Sequence, residues 1–157
     1  MSKYNIYLSG AEKWYIDNAN TNYPFTWRKL VEEWINRFGD NMKAINPCNY
    51  YSNYNDNFIR SDQEIRRLLL YKISKCDILL VNLDHIKDSV ITLNEVFFAD
   101  AHNIPIIGFY EYKDDKDYGD DRYLTEPWIL DSCSRIETNK TTALTDSLIY
   151  IKNYYCS

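Results

Sequence analysis

Histidine is almost missing from this chain of 157 residues, which has only two, and its four cysteines include no CxxC pair. Cys48, Cys76, Cys133 and Cys156 lie far apart, and His85 and His102 add too little to complete a zinc site. No metal is therefore expected. No apolar run approaches the roughly 18 residues of a membrane span, so no membrane partner is expected either. The opening MSKYNIYLSG is continuously apolar only over Ile6–Leu8, which is not the hydrophobic region of a signal peptide. Scattered cysteines without a leader fit a reducing, cytoplasmic setting. Glycine is scarce at four residues, and no glycine-rich phosphate loop, Ser–His–Asp order or cofactor motif is present, so no cofactor is expected. A net charge of −5 argues against a polyanion such as DNA as partner, so no nucleic acid polymer is expected, while a single small nucleotide has room.

What is present is concentrated between Ile73 and Tyr110. Two short apolar runs, Ile78–Val81 and Ile104–Phe109, flank a segment of helical spacing over Thr92–Asn103. The runs are too short for ordinary helices and read as buried parallel strands, giving a right-handed strand–helix–strand crossover. Glu95 then lies in the first helical turn, at the carboxyl edge where open α/β sheets bind ligands. Asp77 opens the preceding strand at the opposite edge and reads as structural.

Upstream, Tyr4–Leu8 is a first strand, ended by the small residues Ser9, Gly10 and Ala11, which let a ligand approach the backbone closely. Residues 12–23 read as a polar loop. Pro24 suits the first turn of a helix, and Trp27, Val31, Trp34, Ile35 and Phe38 form its apolar stripe, stopped at Gly39. Met42–Ile45 is a short second strand. An aromatic, asparagine-rich loop follows, in which Tyr50, Tyr51, Tyr54 and Phe58 offer faces for stacking a base or packing under the loop. Ser61 and Glu64 form a capping box for a helix that buries Ile65, Leu68, Leu69 and Ile73. Downstream come an acidic loop over 111–121, extended pieces at Trp128–Leu130 and Ser134–Ile136, and a last helix from about Thr141. The pattern is one domain over residues 1–157, a three-layer α/β fold with a flavodoxin-like (Rossmann-like) parallel sheet of about five strands and helices on both faces.

Two readings compete at each candidate position. Thr92 and Glu95 have the spacing of a capping box, and a carboxylate in a first turn is favoured by the helix dipole. Set at a ligand-binding edge, the same glutamate is a nucleophile for an anomeric carbon. Tyr7 is a core tyrosine or a donor that orients Glu95. Asp84, beside His85, either closes a turn or meets ligand hydroxyls. Ser89 and Thr92 cap the helix or hold a ligand oxygen at its free N–H groups.

Taken together these segments resemble the nucleoside 2-deoxyribosyltransferase superfamily. The opening Tyr4–Ala11, the strand Cys76–Asp84, and the Ser89-x-x-Thr92-x-x-Glu95-x-x-x-Ala99 helix followed by Asn103–Ile107 are each similar to that family's segments, as is Pro127-Trp128-Ile129. The resemblance implies an enzyme that cleaves or exchanges the N-glycosidic bond of a 2-deoxynucleoside. Glu95 would be the nucleophile and Tyr7 its hydrogen-bond donor, with Ser9, Gly10, Ala11, Asp84, Ser89 and Thr92 around the substrate. It also implies a homo-oligomer, dimer or higher, whose neighbouring subunit helps complete the pocket. The chain departs from the family at Val90-Ile91, where Asp-Gly is common, and at Leu69, where an aspartate is common. Asp84 and Asp88 are the nearest substitutes. Alternatives are a hydrolase of 2-deoxynucleoside 5′-monophosphates, a non-catalytic nucleotide-binding module that has lost its acids and, more distantly, a NAD-cleaving domain. The absence of an obvious arginine cluster favours the free nucleoside.

Overall fold

The computed structural model describes residues 3–19, 21–51, 61–112 and 127–157. The expected central crossover is formed by β3 (Ile78–Asn82), α4 (Val90–Ala101) and β4 (Ile106–Glu111). With β1 (Tyr4–Gly10), β2 (Met42–Ile45) and β5 (Arg135–Asn139) it makes an all-parallel sheet in the order β2-β1-β3-β4-β5. That is the flavodoxin-like order, whose direction of winding reverses between β1 and β3.

Helices cover both faces. Ile6, Leu8, Ile78, Leu80, Ile107 and Phe109 pack under α1 (Tyr23–Phe38) and α6 (Ala143–Tyr154). Tyr7, Leu79, Val81, Ile106 and Tyr110 point the other way, toward α3 (Asp62–Ser74), α4 and α5 (Pro127–Ser132). Successive side chains of a strand alternate between faces, so strands buried on both sides must be apolar almost throughout. A short α2 (Cys48–Tyr51) follows β2. Asp77 has the structural part expected of it, accepting a 2.7 Å hydrogen bond from the Asn5 backbone N–H. All four cysteines are free, and Cys48, Cys76 and Cys156 are buried. Among the described residues no helix is long and apolar enough to cross a membrane.

Three local expectations are corrected. The capping box at Thr92 and Glu95 does not form, because α4 begins two residues before Thr92. Extended Ser89 is the N-cap, its hydroxyl accepting from the Thr92 N–H at 3.2 Å. Glu95 thus falls in the second turn, and its carboxylate is bonded across to β1 rather than back to the helix start. The segment after β1 is not a plain loop but helical over Lys13–Ala19, including a π-helical turn from Tyr15. Aromatic anchoring outweighs its polar composition: Trp14 stacks on His85, and Tyr15 is buried with its hydroxyl donated to Asp84. Pro127–Ser132 is helical rather than extended, in keeping with proline's fitness for a first helical position and with burial of Ile129. The side chain of Tyr51, Tyr54, Phe58 and residues 113–121 of the acidic loop lie outside the described residues.

Candidate active site

Alternation along β1 puts Tyr7 and Ser9 on the face that α4 covers. Their hydroxyls meet the carboxylate of Glu95, one at each oxygen: Tyr7 donates to Oε2 at 2.5 Å and Ser9 to Oε1 at 3.0 Å. Tyr7 and Ser9 are fully buried and Glu95 is 5 % exposed. Removal from water raises the glutamate's pKa to about 7. Tyr7, Ser9 and the charge of Arg28 pull it down, and Glu12 pushes it further up. Hydrogen bonds to a carboxylate favour its charged form while burial disfavours it, and here burial prevails. The result is a carboxylate fixed in direction and poised between charge states near neutrality.

Glu95 borders a cavity of about 720 Å³ at the carboxyl edge of the sheet, within the size range of small-molecule sites. Its other walls come from the segment after β1, the start of α1, the turn before α2, α3 and the start of α4. They are mainly apolar, with Ile16, Phe25, Pro47, Ile65, Leu69 and Ile91 prominent. Leu69, Val90 and Ile91, where the sequence differs from the pattern it resembles, all line the cavity. Lys13 and Arg66 line it too, a single arginine rather than a cluster.

Behind the segment after β1 lies Arg28, 1 % exposed. It donates to the carbonyls of Pro24 at 2.9 Å, Gly10 at 3.0 Å and Leu8 at 3.2 Å, and its Nη2 is 3.3 Å from Glu12 Oε1. Burying a guanidinium is tolerable only with partners of this kind. Gly10 has no spare room, since a Cβ there would come within 3.0 Å of the Trp27 ring. Neither Arg28 nor Glu12 stood out in the sequence. Arg28 could have been found as the one charged residue on the buried stripe of α1, with Pro24, Trp27, Val31 and Ile35. Glu12 could have been found as the acid that follows the small residues ending β1.

The predicted site residues separate into groups. Tyr7, Ser9 and Glu95 are brought together by direct hydrogen bonds. Gly10, Ser89 and Glu95 line the cavity. Ala11 is buried beside it without lining it. Thr92 is fully buried, its hydroxyl 2.7 Å from that of Ser89, and serves the helix start. Asp84 lies off the cavity lining, where its carboxylate accepts from Tyr15 and its backbone N–H donates to the Asn82 side-chain oxygen, and Asp88 pairs with His85. Neither aspartate lines the cavity. Among the described residues no group of three or more His, Cys, Asp or Glu side chains is placed to hold a metal ion.

No protein-family model and no curated protein matches the chain. Solved structures do. A conserved protein from Enterococcus faecalis superposes with a TM-score of 0.67 at 16 % identity, covering 95 % of this chain and 99 % of that one. A 2-desoxiribosyltransferase from Leishmania mexicana gives 0.63 at 15 % identity, covering 97 % and 99 %. A 2-deoxyribosyltransferase from Bacillus psychrosaccharolyticus gives 0.63 at 14 % identity, covering 96 % and 91 %. Over nearly its whole length, this chain has the flavodoxin-like fold in which those 2-deoxyribosyltransferases are built.

Proposed function

We propose that the cavity takes a 2-deoxynucleoside, free or as its 5′-monophosphate, and that Glu95 is the nucleophile that displaces the base. The carrying observation is a buried carboxylate on the wall of an apolar cavity, with a separate hydroxyl donor holding each oxygen. One oxygen attacks the anomeric carbon, the glycosidic C–N bond breaks, and its electron pair leaves with the base. The deoxyribosyl ester is then resolved by a second base or by water. The apolar walls suit a base, and the fold shared with the two named deoxyribosyltransferases supports the same choice. Lys13 and Arg66 are cations available to a 5′-phosphate, so the monophosphates belong among the substrates tested.

Val90 and Ile91, 81 % and 63 % exposed at the mouth, are apolar surface that a second copy of the chain would cover, in keeping with a homo-oligomer. The competing reading is a binding module without turnover, favoured by apolar Leu69, Val90 and Ile91 where the family has acids or glycine.

The test is chromatography of each 2′-deoxynucleoside and monophosphate after incubation with the protein. Wild type releases free base, and Glu95→Gln loses that release by at least about 10³-fold, the scale of losing an activated nucleophile. Mass spectrometry of the quenched reaction finds a deoxyribosyl group on the Glu95 peptide. An intact nucleotide bound without release establishes the binding module instead.

A further inference from the structure

Breaking a glycosidic bond to a base leaves an electron pair on a ring nitrogen, and an unprotonated purine or pyrimidine anion departs poorly. A side chain that delivers a proton as the bond breaks typically contributes about 10²–10⁴-fold. Three carboxylates line the cavity among the described residues: Glu12, Asp62 and Glu95. Asp62 is an exposed acid in the first turn of α3, and Glu95 is held by Tyr7 and Ser9. Glu12 differs from both.

Glu12 has one anchored oxygen. Its Oε1 is met by Arg28 Nη2 at 3.3 Å and by the Cys48 thiol at 3.6 Å, while its Oε2 takes no hydrogen bond among the described residues. We propose that Glu12 is the proton donor to the departing base, the acid that complements Glu95. This inference rests on the reading of the cavity given above. The Glu12 O–H bond breaks and its proton passes to a ring nitrogen of the base. The C–N electron pair goes into the ring, and a Glu95 oxygen bonds to the anomeric carbon. In the second half-reaction the Glu12 carboxylate takes a proton back from the incoming water or base.

The surroundings act on the Glu12 carboxyl in both directions. Among the described residues, Arg28 from α1 and Cys48 from α2 meet Glu12. Lys13 from the segment after β1, Asp62 and Arg66 from α3, and Glu95 from α4 are the other charged or titratable groups lining the cavity. Burial lifts the Glu12 carboxyl above its ordinary pKa, against the pull of Arg28 and Cys48, and Glu12 in turn raises Glu95.

The experiment compares 2′-deoxyadenosine with 7-methyl-2′-deoxyguanosine, whose base leaves as a neutral molecule without a proton from the enzyme. With Glu12→Gln, kcat/KM for deoxyadenosine falls about 10²–10⁴-fold, while that for the methylated substrate stays within about threefold. Glu12→Asp recovers part of the deoxyadenosine rate. Equal losses on both substrates in a folded Glu12→Gln protein, or no loss on either, would overturn the assignment. If Glu12→Gln does not fold, wild type decides alone. A fall of kcat/KM for deoxyadenosine at alkaline pH supports a protonated donor, and its absence overturns one. Base release abolished by Glu95→Gln but untouched by Glu12→Gln removes this inference and leaves the nucleophile standing. A wild type that releases no base from either substrate removes both.

Discussion

The two faces of β1 are made from the same seven residues and serve different ends. Ile6 and Leu8 point toward α1 and α6, into a face whose strand contacts are aliphatic and aromatic. Tyr7 and Ser9, one step along in each case, point toward α4 and spend their hydroxyls on Glu95. Period-two alternation keeps the two purposes independent, because packing on one side does not dictate what stands on the other. The lesson is that a buried strand can carry polar groups if all of them converge on one partner. Tyr7 and Ser9 are fully buried, and each is satisfied by the same carboxylate.

That contrast can be broken from either side. On the packed face, Leu8→Ala removes a fully buried side chain and lowers stability by about 2–5 kcal/mol, read as a drop in the urea midpoint. It leaves the pH dependence of the remaining activity where it was.

On the polar face the effect has the opposite sign. A Glu95 pKa of about 7, against an ordinary 4.5, means that the folded state binds the proton more tightly than the unfolded one. Stability is therefore greatest below about pH 4.5 and falls as pH rises to about 7. Glu95→Gln escapes that loss, so at pH 8 it unfolds at higher urea than wild type, by about 3 kcal/mol. At pH 4 the two coincide. A variant less stable at pH 8 would mean that the charged carboxylate is better compensated than its burial suggests.

The smallest expected change comes from Tyr7→Phe, which takes one donor from the ionised carboxylate. The glutamate's pKa moves up and the acid limb of kcat/KM shifts to higher pH by about one unit, since a hydrogen bond to a charged group contributes roughly 1.5–3 kcal/mol. An unmoved limb would make Tyr7 a packing residue alone.

Much of this was legible in the sequence, for a physical reason. Strands buried on both faces read as apolar runs, and Ile78–Val81 and Ile104–Phe109 announced β3 and β4 and with them the sheet edge where Glu95 sits. Tyr7 and Ser9 followed from their place in and just after the first apolar run. What escaped was decided by tertiary contact. The start of α4 turns on whether Ser89 or Thr92 caps it, and the two hydroxyls are equivalent in sequence until the carboxylate of Glu95 is claimed by β1. Lys13–Ala19 looks like loop because its helical turn is held by Trp14 on His85, some seventy residues away. Arg28 looks like a surface cation until the carbonyls of Leu8 and Gly10 are brought beneath it.

Sheltering the cysteines has a chemical corollary. Burial pushes the thiols of Cys48 and Cys76 up to about 12 and those of Cys133 and Cys156 up to about 11. Only the thiolate is reactive, so at neutral pH on the order of one in ten thousand or fewer of these groups is able to attack an electrophile. The buried thiols of Cys48, Cys76 and Cys156 are thus expected to react slowly with alkylating dyes in the folded molecule and to become accessible as it opens. Cys48, which gives its S–H to Glu12, is an internal gauge of whether that corner of the cavity is shut.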